Sequence, residues 1–235
     1  MKFLMILTCV TVFILSTADN TFAAFTSVVI GSQTNSDLRG YTNGSNYPSA
    51  LSNLTVGGVP FALEQFAGNA NTLGVIQSPS GNSLFSIPTN VLGATAVYTL
   101  INSAFGSFAS VIGHIDFIGT GGAFATFNLV EGVNVRDHYN GSFNNTVSDP
   151  TIVTANFAGD VRLDRQTFNL PASFATQTLT GINFYGTNAG IPQGEAFLAG
   201  ATILSNGPVA VPVPPSLILA LSGVLTLALR FRRLR

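Results

Sequence analysis

His114 and Asp116 stand two residues apart in an apolar run, Phe108 to Phe117, that reads as a strand. Side chains alternate faces along a strand, so the two share a face, as a base and its orienting carboxylate would. No nucleophile accompanies them: the chain has no Gly-x-Ser-x-Gly elbow, no phosphate-binding loop and no dinucleotide glycine pattern. The pair therefore reads as polar residues on a solvated or edge position.

The most polar and aromatic stretch is Arg136-Asp-His-Tyr-Asn-Gly-Ser-Phe-Asn-Asn145, with Asp149 close behind. Arg136, Asp137, Tyr139 and Asn140 are the candidate ligand contacts: Tyr139 to stack on a sugar ring, Arg136 and Asn140 to bond its hydroxyls. Against this, the protein has no Trp, the commonest stacking platform for sugars, and the plain alternative is a long decorated turn. Asp137, Asn140, Asn144 and Asp149 carry oxygens of the kind calcium takes, but no loop pattern fixes their number, so no metal or other cofactor is expected. A glycosidase needs two carboxylates across a cleft. Glu64, Glu131 and Glu195 each sit beside Gly or in a turn-like context, as surface acids do, and no enzyme activity is expected.

Strands must position these residues. Between Ala24 and Val211 no stretch keeps apolar residues at helical spacing for three turns; short runs of Val, Ile, Phe, Leu and Thr recur between Gly, Asn and Pro instead. Strands are predicted at 26–30, 54–56, 59–63, 72–77, 84–87, 96–101, 108–117, 123–130, 133–136, 152–157, 162–170, 179–185 and 197–204. Gly57-Gly58 has the dihedral freedom of a two-residue hairpin turn, and Gly119 to Gly122 and Asn140-Gly141 are further turns. The expected fold is all-β, a β-sandwich of jelly-roll type over residues 24–205, with a barrel second. Nineteen Phe are expected to fill its core. Leu163 and Phe168 are five apart and cannot share a face without a bulge; Phe168 and Leu170 should point inward. Val56-Gly-Gly-Val-Pro-Phe61 and the alternating Arg162 to Phe184 segment are similar to parts of galactose-binding-like jelly-roll modules.

The two ends differ from this body. Met1-Lys2 precedes an apolar run, Phe3 to Leu15, of secretory signal size, with small residues allowing cleavage after Ala18 or Ala23. Cleavage after Ala23 is favoured because Ala24 to Ile30 already reads as a strand, which makes 1–23 the signal peptide. The single cysteine, Cys9, leaves with it, so the body has no disulfide or thiol chemistry. A body running from Ala24 to Val211 has nine acids and four arginines, net −5, while the whole chain is only 8% charged with a net charge of −1. No basic stripe exists for nucleic acid, which is not expected as a partner.

Residues 206–216 form a Pro-rich linker containing Val211-Pro-Val-Pro-Pro-Ser216. Then come an apolar segment, 217–229, expected as a transmembrane helix, and a tail, 230–235, whose Arg230, Arg232, Arg233 and Arg235 should stay cytoplasmic. Thirteen helical residues reach only about 20 Å against about 30 Å of hydrocarbon, which suits a processing signal better than an anchor. Proline motif, short helix and Arg cluster in this order resemble the PEP-CTERM sorting signal of exopolysaccharide-producing Gram-negative bacteria. Pro212 and Pro214 match its motif, Val213 stands where the motif has Glu, and Pro215 intrudes before Ser216. The resemblance implies an exosortase-type protease as partner and transient inner-membrane anchoring by the C-terminal helix. Release to the envelope or extracellular matrix would follow, with a structural or adhesive role there and polysaccharide as a further partner. A secreted carbohydrate-binding module or carbohydrate-active enzyme is the competing expectation.

Overall fold

Runs rich in Val, Ile, Phe and Thr, broken by glycine and asparagine, become fourteen strands among the described residues: β1 (Ala24–Val28), β2 (Ser36–Asp37), β3 (Asn53–Val56), β4 (Val59–Ala62), β5 (Glu64–Phe66), β6 (Asn69–Gln77), β7 (Gly81–Leu92), β8 (Ala94–Ala104), β9 (Val111–Gly119), β10 (Phe124–Val130), β11 (Val153–Asn156), β12 (Arg162–Asn169), β13 (Thr178–Asn188) and β14 (Glu195–Ser205). The structure is a computed structural model that describes residues 23–77, 81–188 and 194–206. The expected signal peptide up to residue 22, the sorting motif with the linker beyond Asn206, the transmembrane helix and the Arg tail lie outside the described residues. Among the described residues no helix is long and apolar enough to cross a membrane, and helix is confined to short 3-10 turns.

The described residues form an all-β body. A large sheet runs β11-β12-β8-β14-β6-β2, with β1 also on β14 and β5 on β6; a four-stranded sheet runs β10-β9-β13-β7. The two pack face to face as a sandwich. Their shared core sets Ile115, Phe117, Ile182 and Phe184 of the smaller sheet against Val97, Ile101, Phe168 and Leu198 of the larger. A second core lies on the opposite face of the large sheet. There Leu100, Leu163 and Phe197 are roofed by Phe61 and Val59 of the β3-β4 hairpin and by Leu38 and Tyr47 from the segment before it.

This double burial accounts for the odd spacing in β12. Leu163 enters the second core and Phe168 the first, so both are buried on opposite faces and no bulge is required. Leu170 is half-buried and packs against the first core. The Gly57-Gly58 turn forms as expected, both residues at positive φ (57° and 80°) between the paired Val56 and Val59.

Other expectations shift. No strand forms at 133–136: a single Glu131–Val135 bridge replaces it, because the amides of Val133, Asn134 and Val135 all turn back to the carbonyl of Val130. β9 starts at Val111 rather than Phe108, since Ala109 is left-handed (φ 65°). The predicted 84–87 strand extends through Pro88, which costs no ladder bond on an edge strand paired only with β13. The short polar strands β2 and β5 carry no apolar alternation to reveal them. Nor is every Phe core: Phe25, Phe108 and Phe124 are 45%, 68% and 55% exposed.

Candidate functional site

The 131–152 connection between β10 and β11 stands where β8 ends and β14 begins, Ala104 being paired with Glu195. Arg136 is turned inward. Its Nε donates to Asp164 Oδ2 at 2.7 Å and its Nη2 to Asp164 Oδ1 at 2.9 Å, a two-pronged ion pair; Nη2 also donates to Thr154 Oγ1 at 2.8 Å and Nη1 to the carbonyl of Asn145 at 3.1 Å. Asp164 is fully buried and takes further bonds from Asn102 Nδ2 (3.0 Å) and Thr154 Oγ1 (2.6 Å). Its own amide donates to Asn102 Oδ1, so this side chain continues a ladder whose β12-β8 register begins at Arg165 and Leu100.

Asp137 is likewise internal, its two oxygens accepting from the amides of Phe105 and Tyr139 at 2.8 Å each. Burial raises its pKa and those two bonds oppose the rise. Tyr139 is half-buried against the second core, and Asn140 is exposed. Of the four residues nominated from the sequence, two therefore knit the loop to the sandwich, and Asn140 with one side of Tyr139 faces outward.

His138, between them, was not singled out from the sequence. It is 4% exposed, with Nδ1 2.9 Å from the Tyr47 hydroxyl and the Tyr41 and Phe197 rings edge-on at 5.5 and 5.8 Å. Burial first, then the Arg162 charge, lower its pKa to about 4, so the ring is neutral.

Glu131 overturns its reading as a surface acid: it is fully buried. Asn144 Nδ2 donates to its Oε2 at 3.0 Å, while its Oε1 and the buried Ser103 Oγ have no hydrogen-bond partner. The carboxyl fits only because Gly106 lacks a side chain, since a Cβ there would lie 2.0 Å from Oε1. Burial chiefly, with the Asp137 charge adding, raises its pKa to about 7, against the bond from Asn144 and the nearby Ser103 hydroxyl. The signal was a Glu-Gly step directly after an apolar strand; the covering glycines, Gly106 and Gly194, are too distant in sequence to be linked to it without the fold. Glu64 and Glu195 are half-buried, and Glu195 accepts from Gln77 Nε2 at 2.6 Å.

The calcium-type oxygens do not converge. Asn144 serves Glu131 and Thr146, and Asp149 Oδ1 accepts from the amide and hydroxyl of Thr151. Among the described residues no group of three or more His, Cys, Asp or Glu could hold a metal.

His114 and Asp116 do share a face, on the outside of the smaller sheet, with His114 Nε2 3.8 Å from Asp116 Oδ2. The Tyr185 ring stacks on His114 at 4.1 Å. Asp116 is 8% exposed and its Oδ1 has no partner. A groove of about 360 Å³ lies at the side of the sandwich between β1 and β7, lined by Val28, Val29, Pro88, Val91 and Ile203 with a rim of Ser, Thr, Gln and Asn side chains and no charge. No protein-family model matches the chain, and no curated protein matches it in sequence.

Proposed function

We propose that the chain is an exported surface or matrix protein with a jelly-roll body, addressed by its PEP-CTERM-like tail and released by an exosortase-type protease after transient anchoring in the inner membrane, with a structural or adhesive role. The jelly-roll reading is supported by strand order. Numbering the eight long strands β6, β7, β8, β9, β10, β12, β13 and β14 from 1 to 8 gives 6-3-8-1 in one sheet and 5-4-7-2 in the other, two interlocked Greek keys.

The observation that carries the role is the state of the charges. Among the described residues, Asp160 is the only charged side chain that is exposed outright; Asp116, Glu131, Asp137, Arg162 and Asp164 are buried and the others half-buried. The described surface is thus made mainly of hydroxyls, amides and apolar groups, several of them large, with most of the remaining charges half-buried. That favours contact with a hydrated neutral polymer over capture of an ionic substrate or nucleic acid. Two features of the body fit the processing scheme. β1 starts at Ala24, so cleavage after Ala23 leaves every strand whole, and Ala24 pairs with Ser205, which sets the two exits of the body side by side.

Intact-mass measurement on native cells, fractionated into membrane and matrix, tests this reading. The expected species begins near Ala24, lacks Leu217 to Arg235 and is in the matrix. Retention of the arginines in the membrane fraction would mean a plain anchor, and an intact soluble cytosolic species would refute export. A secreted sugar-binding module is the second reading, favoured by the uncharged groove between β1 and β7 with its rim of hydroxyl and amide side chains.

A further inference from the structure

We propose that β10 is the seam of a homodimer: the free edges of β10 in two copies of this chain pair antiparallel about a twofold axis at Thr126, joining their four-stranded sheets into one. A free strand edge invites such pairing, and chains normally guard it with charge, proline or brevity. Among the described edge strands, β2 carries Asp37, β5 carries Glu64 and β7 carries Pro88. β1 and β11 have only five and four residues. β10, Phe124-Ala-Thr-Phe-Asn-Leu-Val130, pairs only with β9, is seven residues long and has neither charge nor proline.

The ladder defines what this edge takes. The Gly119 amide donates to the Ala123 carbonyl at 2.8 Å, and every second pair along an antiparallel ladder exchanges hydrogen bonds. Ala125, Phe127 and Leu129 therefore spend their main-chain groups on β9, while those of Phe124, Thr126 and Asn128 point away from the sheet. All three of these residues are exposed. One end of the edge already has a strand-like partner: Asn134 Oδ1 accepts from the Val130 amide and Asn134 Nδ2 donates to the Asn128 carbonyl, each at 2.8 Å. The amides and carbonyls of Phe124 and Thr126 and the amide of Asn128 continue that row, and a further strand matches it.

A second copy fits because the strand is complementary to itself. With Thr126 opposite its own counterpart, a favourable cross-strand pair, Phe124 faces Asn128 and Phe127 faces Ala125. The latter sets large against small on the inner face, where Phe127 already packs on Phe117 and Phe168 at 5.8 and 5.1 Å. Gly122 falls opposite Val130, and its missing side chain and open surroundings leave room for Asn134. An uncharged strand does not repel its copy.

Light scattering on the protein recovered from its cells, with cysteine cross-linking of single variants, tests the seam. The expected mass is that of two chains, falling toward one on dilution. Thr126→Lys should weaken the association about tenfold or more, and Asn140→Lys should leave it unchanged. Thr126 is exposed and its main-chain groups are not used by β9, so the variant keeps the fold. Under mild oxidation Thr126→Cys should link two copies, since opposed residues of a hydrogen-bonded pair stand about 5.5 Å apart, within disulfide reach. Asn128→Cys should not link to itself, because its counterpart lies four residues along, about 13 Å away. Mixed with Phe124→Cys it should link. The parent chain, whose one cysteine is Cys9, gives the background. The seam is overturned by a single-chain mass at every concentration reached, by a dimer that Thr126→Lys leaves intact, or by self-linking of Asn128→Cys in place of Thr126→Cys.

Discussion

Glu131 makes the stability of the body depend on pH in a direction opposite to that of most carboxylates. Its pKa rises from 4.5 in the unfolded chain to about 7 in the fold. Between those values the folded protein binds more protons than the unfolded one, so this group's contribution is fully present below pH 4.5 and is lost as pH climbs through 7. A displacement of that size corresponds to about 3 kcal/mol between pH 4.5 and pH 8. His138 acts in the contrary sense. Its pKa falls from 6.5 to about 4, so the stability of its neutral form is fully present above 6.5 and is lost as pH drops toward 4.

Over pH 4.5 to 6.5 the two nearly cancel in the native protein. Glu131→Gln separates them: the amide carbonyl still accepts from Asn144, the NH2 donates to Ser103 Oγ, and nothing titrates. Thermal melts at half-unit steps from pH 4 to 8.5 should show the variant level with the native protein near pH 4.5 and about 5–10 °C more stable at pH 8. Its own curve should lack the fall that Glu131 imposes on the native protein between pH 4.5 and 7. Asp137, also raised by burial, is present in both proteins and drops out of the difference. Parallel curves for the two proteins across this range would refute the placement of a neutral carboxyl beneath Gly106.

Four further outcomes follow from the packing, each measured by urea unfolding. Gly106→Ala places a methyl 2.0 Å from the Glu131 carboxyl and should cost about 3 kcal/mol or more, whereas Gly40→Ala meets nothing within 4 Å and should stay within about 0.5 kcal/mol. Arg136→Ala strands the buried Asp164 carboxylate and should cost about 3–5 kcal/mol, so an unchanged midpoint would mean that water takes its place. Tyr47→Phe removes the hydroxyl that lies 2.9 Å from His138 Nδ1 and 3.1 Å from the carbonyl of Arg162, and should cost about 1–3 kcal/mol. Leu163→Ala and Phe168→Ala should each cost about 2–5 kcal/mol and add when combined, since they empty cavities in separate cores.

The sequence was legible where a residue's neighbours along the chain decide its state. Gly57-Gly58 must turn between Val56 and Val59 whatever lies around it, and period-two alternation places Phe168 inside. It was illegible where distant segments decide. Arg136 and Asp137 look like an exposed binding loop until Asp164, twenty-eight residues beyond Arg136, and the amide of Phe105 supply their partners. Glu131 has the local setting of a surface acid until Gly106 and Gly194 close over it. Polarity in a chain this poor in charge is thus a misleading guide to exposure: a sheet covered on both faces needs polar groups to tie its loops down, and the most strongly polar stretch is recruited for that purpose. Residues free to meet a partner are then those whose polarity has no internal use. In the described structure that criterion passes over the loop at Arg136, whose charged groups are spent on Asp164 and on the amides of Phe105 and Tyr139.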